Sequence, residues 1–293
     1  MSLMSTLGSV IPITYERVLE CREKKPRRVN FARTQQNEPK RATASSEWVG
    51  SFSVGFEKTI RPLFKAGTGL DLFLSRQSFD GQEPGFWRSI KTEEEFVTIR
   101  DWVAAQGTFV FLRDCLDLSL ALGYNVAYEE SAHTPLGELE HKAKMDQDVD
   151  ALDSLGNLLI SAIQGLPYYR DATKVMAVPP AIGKTFDLPS LLAERVAAEL
   201  SKEDITSTFA FQGEKGKIKD CALEDKWQQL ESAKLQYSGS GLAGACVILI
   251  DDKYQSGTTM QYVAMKVQEA GAKRIYGISL VKTLRDSDNV ATK

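Results

Sequence analysis

The chain has 293 residues and a formal net charge of −3; 43% of the residues are hydrophobic and 26% are charged. This composition is typical of a globular protein long enough for one large domain with an extension, or for two domains. It disfavours a protein that coats nucleic acid over its whole surface. The lack of a run of roughly 18 apolar residues, or of an N-terminal signal, disfavours a membrane or secreted protein.

The four cysteines are scattered along the chain, at Cys21, Cys115, Cys221 and Cys246. No two of them stand in the C-x-x-C spacing that is typical of zinc sites or redox motifs. A reduced, cytoplasmic protein without structural zinc is therefore the simplest interpretation.

Residues 1–49 are predicted to form a basic, flexible N-terminal arm with few large apolar side chains to bury. Its charges cluster at Lys24, Lys25, Arg27 and Arg28. Such an arm could make a weak contact with nucleic acid or bind the acidic face of a protein partner. No aromatic residues are interleaved with these charges, as stacking on bases would require, and this favours a solvated leader.

Residues 50–124 are predicted to form an α-rich domain of unknown role. A helix is expected to begin at Thr92 and to place Phe96, Ile99 and Trp102 on one face before it ends at Gly107. The aromatic residues of this region could line a base-binding pocket, but aromatic side chains more often belong to a core. Together with the arm, this region could supply the surface for a protein partner.

From residue 125 the pattern changes to that of a third region, residues 125–293. The segment 148–163 predicts an amphipathic helix, and residues 175–178 predict a short strand that ends at Pro179 and Pro180. A polar, glycine-bearing stretch follows within residues 201–241, in which lysines 215, 217, 219 and 226 stand. These lysines either contact a bound anion or form a solvated face.

Residues 247–250 read Val-Ile-Leu-Ile, which predicts a strand buried on both faces, as in the centre of a parallel sheet. Asp251 and Asp252 follow at its carboxyl end, where open α/β sheets bind ligands. We therefore expect these two carboxylates to lie at the mouth of a crevice.

A short polar loop comes next, formed by Gln255, Ser256, Gly257, Thr258 and Thr259. Its glycine lets the backbone approach an anion closely, while hydroxyl and amide groups supply hydrogen-bond donors. The segment 260–270 predicts a helix, so the loop is also a helix N-terminus, where negative charge is favoured. An ordinary buried strand followed by a capped helix is the alternative interpretation.

This strand, acid pair, loop and helix resemble the phosphoribosyl-pyrophosphate (PRPP) signature of the type I phosphoribosyltransferases. Over residues 125–293 the order of elements resembles the ComF-like branch, with its His133-Thr134-Pro135 turn, lysine-bearing helix and strand ending in Val178-Pro179. The resemblance implies an α/β fold with a Rossmann-like parallel sheet flanked by helices. The residues before it would then form an additional, mostly helical N-terminal region.

The resemblance also implies roles for the site residues. Asp251 and Asp252 would be the catalytic acids that face the ribose hydroxyls and reach Mg²⁺ indirectly through them. The 5′-phosphate would be held by Gln255, Ser256, Gly257, Thr258 and Thr259. The pyrophosphate loop would consist of Pro180, Ala181, Gly183 and Lys184, with a plain strand-to-helix turn as the alternative.

The implied activity is the transfer of a phosphoribosyl group to a nitrogen nucleophile with release of pyrophosphate, or the reverse. PRPP or a nucleoside monophosphate would be the ligand, Mg²⁺ the cofactor, and an oligomer is possible. Lys253, Tyr254 and Gln255 depart from the family pattern. This departure leaves open a protein that senses PRPP or a nucleotide and has lost turnover, possibly in a nucleic-acid-associated system.

Overall fold

The structure is a computed structural model that describes residues 7–32, 37–43, 46–75, 84–128, 132–214 and 221–285. Its helices are α1 (Tyr15–Glu23), α2 (Ile60–Thr68), α3 (Glu93–Ala105), α4 (Pro135–His141), α5 (Val149–Gly165), α6 (Leu188–Leu200), α7 (Leu223–Ser232) and α8 (Thr258–Glu269). A π-helical turn, Lys142–Asp146, extends α4. Within these ranges no helix combines the length and apolar character that crossing a bilayer requires.

The strands in the first half of the chain are β1 (Arg28–Asn30), β2 (Lys40–Arg41), β3 (Gly50–Val54), β4 (Phe73–Leu74), β5 (Phe86–Ile90), β6 (Val110–Leu112) and β7 (Leu118–Tyr124). Those in the second half are β8 (Lys174–Ala177), β9 (Glu203–Asp204), β10 (Phe209–Phe211), β11 (Leu235–Tyr237), β12 (Cys246–Tyr254) and β13 (Arg274–Lys282).

A seven-stranded sheet in the order β1-β6-β7-β13-β12-β8-β9 forms the centre of the molecule. From β7 to β9 all neighbours are parallel, while β1 and β6 join antiparallel at one edge. The predicted mixed α/β fold, with a mostly parallel sheet flanked by helices, is confirmed.

The central strand β12 is buried on both faces, as its apolar run predicts. Ile248 and Ile250 pack in a core cluster with α5 and α6, whereas Val247 and Leu249 pack in a second cluster with α7 and α8. Burying such side chains contributes roughly 1.5–3 kcal/mol each. This double burial fixes the register of β12 and hence the position of everything at its carboxyl end.

The chain order creates a crevice between β8 and β12. From β8 the chain passes through α6 to β9 on one side, whereas from β12 it passes through α8 to β13 on the other. The two connecting helices therefore leave the sheet edge in opposite directions. Ligands of open α/β sheets bind at such a switch point, outside the carboxyl ends of the strands.

The N-terminal half differs from the mostly helical region that was expected. Among its described residues, the part before residue 125 contains three helices and seven strands. Gly50–Val54 alternates buried and exposed residues, which is the period of a strand. Four short strands form an antiparallel sheet in the order β2-β3-β5-β4.

The domain boundary expected at residue 124 falls within a single sheet, which contains strands from both sides of it. Strand β7 lies before it, yet Leu118–Tyr124 pairs in parallel with β13. The sequence of residues 109–122 predicts a second helix or a strand passing into a helix. The segment instead forms β6 and β7, because its Val, Phe and Leu side chains are buried on both faces of the sheet.

Residues 7–32 also differ from the flexible arm that was expected. Helix α1 is capped by the Thr14 hydroxyl and buries Val18 in the second core cluster. Strand β1 pairs with β6 at the sheet edge. Two of the basic residues are engaged inside the fold: Arg27 donates to a backbone carbonyl of the loop after β12, and the Arg28 guanidinium lies 5.6 Å from the Tyr124 ring centroid.

Candidate functional site

The two predicted acids lie at the carboxyl end of β12, at the switch point of the sheet. Asp251 is partly exposed and lines a cleft of about 190 Å³ together with the polar loop that follows. Asp252 is buried, and its carboxylate forms an ion pair with Lys144 of the π-helical turn. The acid pair therefore has one member open to a ligand and one held by a cation of the protein.

Burial and, to a smaller extent, the charge of the neighbouring Asp252 together raise the pKa of Asp251 to about 8, against the opposing effect of Lys144. Asp251 therefore holds a proton near neutral pH in the ligand-free protein. A protonated carboxyl can donate one hydrogen bond and accept others, which suits a sugar hydroxyl.

The buried Glu140 of α4 joins these residues in a charge cluster whose lysines are partly exposed. Its Oε2 lies 3.0 Å from Lys253 Nζ and its Oε1 lies 3.8 Å from Lys144 Nζ. Burial acts to lower the pKa of Lys144, but the charge of Asp252, its hydrogen bond and the charge of Glu140 outweigh burial, so the pKa is raised. Lys253, which departs from the family pattern, thus ties β12 to α4.

The predicted phosphate loop is Gln255–Thr259, and it runs into the N-terminus of α8. Gly257 is the N-cap residue of α8 with φ +77°, a left-handed conformation that favours glycine. The Ser256 and Thr258 hydroxyl oxygens lie 3.0 Å apart in the same turn. The first N–H groups of a helix have no acceptor within it, and glycine offers no side chain to cap them, so they are suited to an anion.

The Tyr254 side chain lies beneath this loop. A Cβ atom on Gly257 would overlap the Tyr254 hydroxyl and ring, which it would meet well inside 3.0 Å. The hydroxyl donates a 3.0 Å hydrogen bond to Oδ2 of Asp114, a carboxyl whose pKa is raised by burial. Tyr254 therefore connects the loop to the turn between β6 and β7.

Two further contacts hold the loop from its outer side. Arg27 donates from Nη2 to the Ser256 carbonyl over 3.1 Å. Gln261 donates to the Gly257 carbonyl over 3.3 Å. Neither Arg27 nor Asp114 was predicted to serve the site, because residues 229 and 140 positions before their partners carry no sequence signal of the contact.

The predicted pyrophosphate loop, Pro180, Ala181, Gly183 and Lys184, follows the neighbouring strand β8. The backbone N–H of Val178 donates to the Ile250 carbonyl over 2.8 Å, which places the loop beside β12. Its Lys184 Nζ lies 2.7 Å from Oδ1 of Asp187, the N-cap of α6. The charge of Asp187 also contributes to the raised pKa of Asp251, so the two loops share one edge of the sheet.

One of the four lysines considered from the sequence reaches the cleft. Lys226 of α7 is buried and lines it opposite the phosphate loop. Lysines 215, 217 and 219 lie outside the described residues. The positive charge that faces the loop therefore comes from α7 and from the N-terminus of α8.

Mg²⁺ fits this site as an ion brought in by a ligand. In the part of the chain that the structure describes, no three His, Cys, Asp or Glu side chains are grouped to hold a metal. Mg²⁺ in proteins often keeps several waters and is held by one or two carboxylates together with substrate phosphates. Asp251 and Asp252 would reach such an ion indirectly, through the hydroxyls of a bound sugar.

Comparisons with known proteins give weak likenesses. No protein-family model and no curated protein matches the chain. Among solved structures, adenine phosphoribosyltransferase from Leishmania donovani is 15% identical, with 48% of this chain and 68% of that chain covered and a TM-score of 0.32. The enzyme from Leishmania tarentolae is 12% identical, with coverage of 52% and 80% and a TM-score of 0.33.

A third similar structure is the adenine phosphoribosyl transferase from Trypanosoma brucei in complex with AMP, pyrophosphate and ribose-5-phosphate. It is 12% identical, with 57% of this chain and 87% of that chain covered and a TM-score of 0.33. Likenesses at this level do not assign the chain to a family, so its function has to be argued from the site itself.

Proposed function

We propose that this chain binds PRPP together with Mg²⁺ and transfers the phosphoribosyl group to a nitrogen nucleophile, releasing pyrophosphate, or catalyses the reverse reaction. One observation carries the proposal. Asp251 and an uncapped helix N-terminus line a single cleft at the switch point of a mostly parallel sheet, and the buried Asp252 lies next to Asp251 in the chain. A sugar phosphate needs acceptors for its diol and donors for its phosphate, and this cleft supplies both.

The phosphate end is supported by the turn at Gly257. The first N–H groups of α8 and the hydroxyls of Ser256 and Thr258 converge there. Lys226 lies across the same cleft. A dianionic phosphate would gain charge-assisted hydrogen bonds from these groups, which are roughly twice as strong as neutral ones.

The ribose end is supported by Asp251 and Asp252. The raised pKa of Asp251 leaves it able to donate to one hydroxyl and accept from another. Asp252 is oriented by its ion pair with Lys144. We therefore assign the direct contact with the diol to Asp251. Asp252 would act through its negative charge, which helps to keep Asp251 protonated.

The pyrophosphate end would lie against residues 179–187. Gly183 has φ +76°, and the loop is exposed on its outer side. Lys184 would exchange its pairing with Asp187 for pairing with the leaving group. When bound, Mg²⁺ would supply positive charge to the pyrophosphate oxygens as they accept electrons.

The reaction breaks the bond between C1 of the ribose and the pyrophosphate oxygen, so positive charge develops on the sugar ring. The protein's task is to fix both ends of the sugar and keep water away from C1. Asp251, once ionised beside the bound sugar, would stabilise that developing cation.

Calorimetry with PRPP and Mg²⁺ tests the proposal. Wild-type protein should release heat, and Asp251→Asn/Asp252→Asn should lose at least about tenfold in affinity, because the diol loses the Asp251 carboxyl and the charge of Asp252 beside it. Asp171→Asn, which removes an exposed carboxylate outside the cleft, is the matched control and should bind normally. No heat with the wild type, or unchanged heat with the double variant, would refute the proposal.

A protein that binds PRPP or a nucleotide without turning it over is the second candidate. It is favoured by the fact that Lys184 and Lys144 are both paired inside the protein, with Asp187 and Asp252. Pyrophosphate release in a screen of bases and amines separates the two candidates. Binding without release, under conditions in which the double variant no longer binds, would establish the sensor.

A further inference from the structure

Two cysteines that are distant in sequence meet in the fold. Cys21 lies on α1, and Cys115 lies in the turn between β6 and β7. Their Sγ atoms are 3.4 Å apart, although 94 positions separate the residues. All four cysteines are free thiols in this structure.

The two thiols differ in environment. Cys115 is buried, whereas Cys21 is partly exposed and lines a cleft of about 680 Å³ that also contains Arg17 and Lys58. The hydrogen bond from the Cys115 thiol, with the charges of Lys58 and Arg17, lowers the pKa of Cys21 to about 7 against burial and the charge of Asp114. Cys21 is therefore the thiol that ionises more readily, and Cys115 is the neighbouring thiol.

We propose that Cys21 and Cys115 are a reversible disulfide site, oxidised by peroxides that enter the cleft beside α1. This cysteine site lies outside the cleft that Asp251 lines, and it does not depend on the function proposed for that cleft. A thiolate with an adjacent buried thiol is the arrangement in which oxidation ends in a disulfide.

Oxidation of the two thiols to the disulfide takes two steps. The Cys21 thiolate attacks one peroxide oxygen, so an S–O bond forms, the O–O bond breaks, and the departing hydroxide takes a proton and leaves as water. The Cys115 thiol then attacks the sulfenic sulfur, so the S–S bond forms and the hydroxyl leaves with the thiol proton as a second water. The two sulfurs together lose two electrons, which the peroxide accepts.

This site is connected to the phosphate loop by backbone contacts. The Cys115 N–H donates to Oε1 of Gln261 over 3.0 Å, and the same Gln261 donates from Nε2 to the Gly257 carbonyl. The residue before Cys115 is Asp114, which accepts from Tyr254 beneath the loop. Bringing the sulfurs from 3.4 Å to the roughly 2.05 Å of a disulfide moves this turn, and we infer that the loop moves with it.

Mass spectrometry of the intact, reduced chain after treatment with one equivalent of hydrogen peroxide tests the disulfide. We expect a cross-linked Cys21–Cys115 peptide pair, lighter by two hydrogens and restored by dithiothreitol, at least about tenfold faster than any modification of Cys221 or Cys246. Cys221→Ser, which alters another partly exposed cysteine, is the control and should leave the cross-link unchanged.

The disulfide is refuted if the folded wild type gives scrambled pairings, or if Cys21 accumulates as sulfinic acid while Cys115 stays reduced. It is also refuted if Cys21→Ser consumes peroxide as fast as the wild type. Since the first two outcomes need only the wild type, a variant that fails to fold does not remove the test.

Amide hydrogen exchange tests the connection to the loop without any ligand. Exchange of residues 256–261 should differ by about tenfold between the reduced and the disulfide form, while that of α3 should stay the same. Equal exchange in the two forms would refute the connection and leave the disulfide itself standing on the mass data.

Discussion

The two loops at the carboxyl edge of the sheet are built in opposite ways. Contacts from three separate segments hold the phosphate loop after β12: Tyr254 with Asp114 beneath it, Arg27 at Ser256, and Gln261 at Gly257. The loop after β8 is exposed from Ala181 to Thr185. Within this loop, Lys184 forms a local ion pair with Asp187.

This difference predicts that the two ends of the proposed ligand would bind at different entropic cost. A prebuilt phosphate site loses little conformational entropy when the ligand binds, whereas an exposed loop has to be ordered by the ligand. We therefore expect the phosphate end of the ligand to supply most of the affinity. The loop after β8 would become ordered when the pyrophosphate end binds.

The glycines of the two loops provide the largest expected contrast. Both have nearly the same φ, +77° at Gly257 and +76° at Gly183. Gly257→Ala would combine left-handed strain with overlap on Tyr254, so we expect a loss of stability of about 3 kcal/mol or more and loss of phosphate-loop binding. Thermal unfolding and calorimetry measure the two effects.

Gly183→Ala is the matched control. Among the described residues no heavy atom lies within 4 Å of where its Cβ would stand. The substitution should therefore cost only the backbone strain of about 1–2 kcal/mol. Equal losses for the two variants would contradict the contrast between a packed loop and an open one.

Removal of one hydroxyl beneath the phosphate loop should have the next largest effect. Tyr254→Phe leaves the buried Asp114 carboxyl without that donor, which should reduce stability by about 1–3 kcal/mol and weaken phosphate binding. Tyr169→Phe also removes a buried hydroxyl donor, here to the Gly277 carbonyl outside the cleft. If both variants lose binding equally, Tyr254 has no particular role in the loop.

A pH series isolates Asp251. Its folded pKa of about 8 lies above the ordinary 3.8, so the folded state binds the proton more tightly than the unfolded state. The resulting stability is fully present below the unfolded pKa and is lost as the pH rises through the folded pKa. Asp251→Asn has no such contribution to lose. Relative to the wild type, its melting temperature should therefore rise by about 6 °C between pH 5 and pH 8.

The pH series can be checked by a second measurement, because Asp251→Asn should also bind PRPP more weakly than the wild type does. A difference in melting temperature that does not change with pH would show that Asp251 titrates as an ordinary aspartate. Asp171→Asn again serves as the control, since its carboxylate is exposed.

The smallest effect is expected in the exposed loop. Lys184→Ala removes a partly exposed ion pair and should change stability by about 0–1 kcal/mol, while weakening pyrophosphate binding a few-fold. Lys266→Ala removes another pair with the same i,i+3 spacing, to Glu269 at 2.8 Å, and should affect neither the cleft nor its ligand. A large loss of stability for Lys184→Ala would mean that the loop is held as firmly as its neighbour.

The sequence was sufficient for the strand and loop that build the cleft. The apolar run before Asp251 predicts burial on both faces, and Gly257 within a hydroxyl-rich turn predicts the helix start. These signals are local, since each depends on residues within a few positions of one another.

The sequence did not indicate the contacts between residues that lie far apart in the chain. Nothing in the pattern around Asp114 indicates that it accepts from Tyr254, and nothing around Cys21 indicates Cys115. The sequence also left residues 109–122 open between a helix and a strand passing into a helix, because a continuous apolar run fits a buried helix and a buried strand equally. Such pairings are decided by the packing of the whole sheet.

The order in which the strands are synthesised has a consequence for biogenesis. Strand β13 lies between β7 and β12, so β7 cannot acquire its parallel neighbour until residues 274–282 have left the ribosome. Until then both flanking strands present unpaired edges, which are prone to associate with other chains. Nascent chains halted before residue 274 should consequently depend on chaperones and be cleared by proteases.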